Sequence, residues 1–158
     1  MEEIIQLNSG AKLSPHFTLG EMTKSSSHPE VYNIPSHEAI ANLKRVCGWL
    51  EVLRKRYNEK YGVGEEPIRI NSGYRSPQLN KRIGGVPTSN HLTGCAADIR
   101  VENMEQLLRY AVILLDYADE SKQEFDELLI ERNSHGAIWL HFAVRPSGNR
   151  HKVAFINA

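Results

Sequence analysis

The chain lacks an excess of either charge: nineteen Lys and Arg balance nineteen Asp and Glu, so the formal net charge at neutral pH is zero. A surface that tracks phosphates is not expected, and nucleic acid is not an expected partner. Long hydrophobic runs are also missing. Nothing approaches the ~20 apolar residues of a membrane span, and the opening "MEEIIQLNSG" is acidic, without the basic and apolar regions of a classical export signal. A soluble protein made in the cytoplasm is therefore expected. Only Cys47 and Cys95 are present, one within a helical pattern and one in a glycine-containing turn, which excludes a disulfide framework. Internal repeats and low-complexity linkers are absent too. What remains is 158 residues with 41% hydrophobic content, enough for one globular domain over 1–158 with its own core, read as a monomer with a flexible stretch over 1–12.

From Ser36, a candidate N-cap, the apolar residues Ile40, Leu43, Cys47, Leu50, Leu53 and Tyr57 recur at helical spacing until Gly62 and Gly64. A second helix follows Asn103, which forms a capping-box pattern with Gln106 ahead of Met104, Leu107, Leu108, Ala111, Leu114 and Leu115. A short helix is predicted after Ser76 and Pro77. Strands are predicted for "PIRIN" (67–71), "AADIRV" (96–101) and "HKVAFI" (151–156), and "FDELLIER" with "AIWLHFAV" reads as a hairpin around "NSHG". Residues 13–35, rich in Ser, Pro and His, are expected as loop and short helix.

The chemistry centres on "SNHLTGCAADIR" (89–100), where His91 and Asp98 stand seven apart. That spacing is too wide for one helical turn, but a loop folding back into a strand can bring the two together. Gly94 permits the bend, and Ala96 and Ala97 leave room for a metal. Asp98 as a turn cap and His91 as a surface loop residue fit the spacing equally well. A third donor is available in "IWLHFAV". Alternation puts Ile138, Leu140, Phe142 and Val144 on the core face and His141 on the other, with Trp139 and Ala143. If Leu128 and Ile130 share the core face, Glu127, Leu129 and Glu131 share the face of His141, and one of these acids could serve as a general base. Arg75, in "NSGYRSP", offers a planar donor fork to a substrate carbonyl or carboxylate, although a surface ion pair is the commoner use of one arginine.

Ser89, His91, Gly94, Ala96 and Asp98 fill the pattern S-x-H-x-x-G-x-A-x-D, and through it the chain resembles the zinc D-alanyl-D-alanine carboxypeptidases and related peptidoglycan stem-peptide hydrolases, whose fold is shared with Hedgehog signalling domains. "SGYRSP" and "WLHF" resemble that family's arginine and last-histidine segments. "LSPHFTLGEM", "GGVPTSNHLTG", "FDELLIE" and the "NR" of Asn149 and Arg150 resemble its bacterial and phage branch. The resemblance implies an α+β fold, with a small antiparallel sheet packed against two long helices. It also implies one zinc ion held by His91, Asp98 and His141, with Arg75 binding or polarising a stem peptide, and Ser89 and Trp139 as further substrate contacts. Several members carry the catalytic acid three residues before the last histidine, where this chain has Ile138. Glu131, the final acid of "FDELLIE", is therefore the expected base, with Glu127 and His135 as alternatives. The expected activity is D-Ala-D-Ala carboxypeptidase action at the cell wall, reached by a route such as phage lysis. Endopeptidase action as a lysin and an inactive, zinc-stabilised wall-binding module are the competing readings. His16, His28, His37 and His151 are expected to be surface or structural.

Overall fold

Ser36 opens the longest helix, its hydroxyl accepting the Ala39 amide at 3.1 Å, and α2 (His37–Tyr61) runs 25 residues to its cap at Gly62. A computed structural model describes residues 9–25, 27–62 and 64–158. The second long helix, α4 (Met104–Ser121, 18 residues), starts as its capping pattern requires, with Asn103 Oδ1 accepting the Gln106 amide at 2.9 Å. The return bond differs by one residue: Gln106 Oε1 accepts from Glu102 rather than from Asn103. Two short helices are also present among the described residues, α1 (Leu19–Thr23) and α3 (Pro77–Arg82), the latter capped by Ser76.

The sheet has the order β3-β4-β6-β5-β7, from β3 (Ile70–Ser72), β4 (Ala96–Arg100), β5 (Glu127–Arg132), β6 (Ile138–Ala143) and β7 (Lys152–Asn157). The expected antiparallel arrangement holds for β3 with β4, β4 with β6 and β5 with β6, whereas β5 and β7 run parallel. The cause is the connection over 144–151, which crosses the start of β5 and lays β7 on that strand's far edge. The β5–β6 hairpin turns at Gly136 (φ +85°), with Asn133 Oδ1 accepting the amides of His135 and Ala137. Residues 13–35 hold more than the expected loop and short helix: β1 (Lys12–Ser14) and β2 (Phe17–Thr18) pair, and Thr18 and Glu21 form a capping box on α1. Of the stretch read as flexible, 1–8 lie outside the described residues. Residues 9–12 are tied down, since Ser9 and Ala11 carbonyls accept the amides of Gly20 and Leu19.

The helices cover one sheet face. Leu43, Leu50, Leu53, Leu107, Leu114, Leu140 and Phe142 are fully buried, and Trp49 joins three elements, edge-on to Tyr117 of α4 at 4.9 Å and tilted against Phe142 of β6 at 5.1 Å. Met104 and Leu108, expected in the core, are instead exposed. The buried stripe of α4 is Leu107, Tyr110, Ala111, Ile113, Leu114 and Ala118, which leaves Met104 and Leu108 on the outer side of the helix. With one side covered by the helices, the opposite face of β4, β6 and β5 carries polar groups, among them Asp98, His141, Glu127 and Glu131.

Leu50→Ala removes a wholly buried side chain of α2 from the core and is expected to lower stability by about 2–5 kcal/mol in a denaturant titration. A loss under about 1 kcal/mol would show that this layer repacks freely.

Candidate metal centre

On the sheet face away from the helices, strand register lines up the polar residues. Asp98 of β4 stands opposite His141 of β6, which stands opposite Leu129 of β5. Glu127 and Glu131 flank Leu129 on the same face, opposite Ala143 and Trp139, as alternation requires.

His91 reaches this face from a 3-10 turn, Asn90–Thr93, that ends at Gly94 in the left-handed region (φ +76°). A side chain there would be strained, and its Cβ would collide with the Ala39 carbonyl of α2. The bend before β4 therefore requires glycine. Ser89 Oγ accepts the His91 amide at 3.1 Å, so the serine read as a substrate contact also caps this turn. The His91 Nδ1–H donates to the Gly73 carbonyl at 2.6 Å, while the Arg75 amide donates to the His91 carbonyl at 3.0 Å. With Nδ1 occupied, His91 turns Nε2 toward Asp98 Oδ1, 3.2 Å away. The same oxygen lies 2.9 Å from His141 Nδ1, and His141 Nε2–H donates to Glu127 Oε1 at 3.1 Å. Asp98 Oδ2 accepts from Arg75 Nη2 at 3.1 Å.

Among the described residues, His91, Asp98 and His141 form a buried group whose donor atoms lie within 4.8 Å of one another. Each imidazole presents one ring nitrogen to the shared space and commits the other to a carbonyl or a carboxylate, the outer bonding that orients metal-ligating histidines. Two imidazoles and a carboxylate suit a divalent ion such as a three-ligand hydrolytic site uses, so the residues present fit a metal. The electrostatics agree. Burial opposes charge on Asp98, yet the charge and hydrogen bonds of His91 and His141 hold its carboxyl well below the usual range. His141 is also desolvated, but its bonds to Asp98 and Glu127 push it up to about 10. For His91, burial dominates and lowers the value.

The two acids beside the centre differ. For Glu127, burial is outweighed by the hydrogen bond and charge of His141, the Asn90 bond and the charge of Arg150, and its carboxyl is lowered. Glu131 is raised, first by burial and then by the Asp98 charge, while Trp139 Nε1 donates to its Oε2. Arg75 is half-buried with its fork divided, Nε donating to Ser72 Oγ at 3.0 Å and Nη1 to Asn80 Oδ1 at 3.4 Å besides the Asp98 contact. It is not the surface ion pair that a single arginine usually makes.

His135 lies exposed in the hairpin turn. His16 pairs with Glu51, His28 with Glu30 and His151 with Glu124, in keeping with structural roles. Sequence reasoning passed over Asn90 and Asp126, both buried beside the centre. Asn90 occupies an unspecified position of the motif, and Asp126 shows only as an acid at a strand start; neither carries a periodicity signal.

A model described as Peptidase M15 matches residues 15–125. The zinc D-Ala-D-Ala carboxypeptidase of Streptomyces albus G is 29% identical over 97 residues, 61% of this chain and 36% of that protein. The match thus spans little more than a third of the relative's length.

The chain is expected to bind about one divalent ion. His91→Ala, Asp98→Ala and His141→Ala should each weaken binding by about tenfold or more, measured by chelator competition. Wild-type metal content in all three variants would place the ion elsewhere.

Proposed function

We propose, from the premise that the chain belongs to the Peptidase M15 family, that it is a zinc peptidase of peptidoglycan stem peptides, removing the terminal residue from a D-Ala-D-Ala end. One observation carries this reading: a buried His91–Asp98–His141 group shares a sheet face with an acid, Glu131, whose proton affinity is raised. The name of the relative, a zinc D-Ala-D-Ala carboxypeptidase, supports the metal and the substrate.

His91 Nε2, His141 Nδ1 and Asp98 would hold zinc, whose chemistry is to polarise a carbonyl and make water acidic enough to attack at neutral pH. Glu131 then has the work of moving a proton from the attacking water to the leaving amine. A base must be free to accept, and its affinity must suit the working pH. Glu131 meets both conditions better than Glu127, which is lowered and bonded by His141 and Asn90. The Trp139 indole N–H donates to Glu131 Oε2 and holds the carboxylate on the face of the centre, while the indole ring remains to border the substrate.

Arg75 uses three of the five N–H donors of a guanidinium on Ser72, Asn80 and Asp98. Two remain for the substrate carbonyl or terminal carboxylate, from a group fixed in place before substrate arrives. Ser89 keeps its hydroxyl proton while accepting the His91 amide, and completes the proposed substrate contacts. Peptidoglycan is the proposed partner and the cell wall the proposed place of action.

The test of activity is digestion of purified peptidoglycan and of a pentapeptide stem, with products read by mass spectrometry. Release of D-alanine, abolished by a chelator and restored by zinc, is expected. Internal fragments would assign endopeptidase action instead, and no cleavage at all would leave a metal-stabilised binding module.

Glu131→Gln should lower kcat by about 10²- to 10⁴-fold with metal retained. The acidic limb of the wild-type pH profile should lie above the ordinary glutamate range, because the raised carboxyl must lose its proton to act as base, and it should disappear in the variant. Glu127→Gln and His135→Gln should cost far less; if either is the inactive one, the base is misassigned. Arg75→Lys should lose catalytic efficiency while metal content persists, and unchanged efficiency would remove Arg75 from the site.

A further inference from the structure

Behind His141 a chain of hydrogen bonds leads away from the centre to the loop that crosses the start of β5. Glu127 Oε1, which accepts from His141 Nε2, also accepts from Asn90 Nδ2 at 2.6 Å. Asn90 Nδ2 is shared with Asp126 Oδ2 at 2.8 Å, and Asn90 Oδ1 accepts from Arg145 Nε at 2.8 Å. Asp126, fully buried, takes three bonds from Arg150: the backbone amide and Nε to Oδ1, both at 3.0 Å, and Nη2 to Oδ2 at 2.8 Å. Arg150 Nη2 also lies 3.4 Å from Glu127 Oε2.

We propose that Glu127 and Asn90 are positioning residues for His141, and that Arg150, through Asp126, anchors them from the crossover loop. The inference rests on the metal reading given above. Its physical basis is that an imidazole can present either edge. A carboxylate only accepts, so Glu127 requires N–H at Nε2 and leaves Nδ1 for the shared space with Asp98 and His91. Glu127 can impose this only if it is itself held. Asn90 does so directly, and it sits next to His91 in the chain, so one residue links the mounting of both histidines. Arg150 and Arg145 hold Asn90 and Asp126 from the other side. The loop over 144–151 is therefore part of the metal centre's support as well as a strand connection.

An ion-pair cluster that merely pinned the loop would affect stability alone, so the test reads the metal environment. Cobalt(II) replaces zinc in the full chain, and its affinity and visible absorption are measured together with the thermal unfolding of the metal-free protein. Glu127→Ala should bind cobalt about 10- to 100-fold more weakly, with an altered spectrum. Glu127→Gln, which retains an acceptor oxygen, should recover most of both. Arg150→Gln should shift affinity and spectrum in the direction of Glu127→Ala, by less. Wild-type affinity and spectrum in Glu127→Ala would overturn the proposal. If that variant fails to fold, wild-type spectra together with wild-type affinity in Arg150→Gln would do the same. A wild-type chain that binds no metal would instead remove the reading beneath it.

Discussion

A single buried carboxylate organises this molecule. Asp98 is 6% exposed, and a charge so far from water is tolerated only where donors surround it. Its two oxygens meet His91, His141 and Arg75, which come from three separate parts of the chain. The requirement to satisfy Asp98 draws the 3-10 turn, the loop after β3 and the centre of β6 to one point. Removal of any one partner would leave that charge only partly compensated.

Strand pairing makes that convergence possible. Asp98 and His141 are 43 residues apart yet are register partners in adjacent strands, so their side chains leave the same face side by side. His91 has no strand to fix it. It depends on a turn that only glycine can close at position 94, and on the Gly73 carbonyl for its ring orientation. The helices contribute from behind, by covering the other face and keeping β4 and β6 rigid beneath the polar cluster.

The two acids of β5 show how environment divides labour among like groups. Glu127 and Glu131 are two positions apart along the alternation and share a face. Glu127 lies among donors and is held as an anion; Glu131 is desolvated next to another carboxylate and binds its proton more firmly. This is the basis on which the first is proposed to orient an imidazole and the second to carry a proton. The family match ends at residue 125, just before this strand, so these acids and His141 are placed by sheet register rather than by the matched segment.

Local patterns were enough to identify much of this. Cap residues and 3.6-residue periodicity located α2, α3 and α4, and two-residue alternation put His141, Glu127 and Glu131 on one face, because both signals depend only on near neighbours. The stretch from Ser89 to Asp98 likewise carried its glycine, its small residues and its two donors in the open. The direction of β7 was not legible, since it depends on where the loop over 144–151 crosses. The hydrogen-bond network of Asn90, Asp126, Glu127 and Arg150 was equally hidden, because bonds between residues 24 to 37 apart leave no period in the chain. What the sequence determined alone was which residues carry donor atoms and which face each strand residue takes. Only the tertiary structure decided that three of those donors meet, which imidazole edge each histidine offers and which acid binds a proton more firmly, since orientation and desolvation are set by neighbours that the chain brings together only on folding.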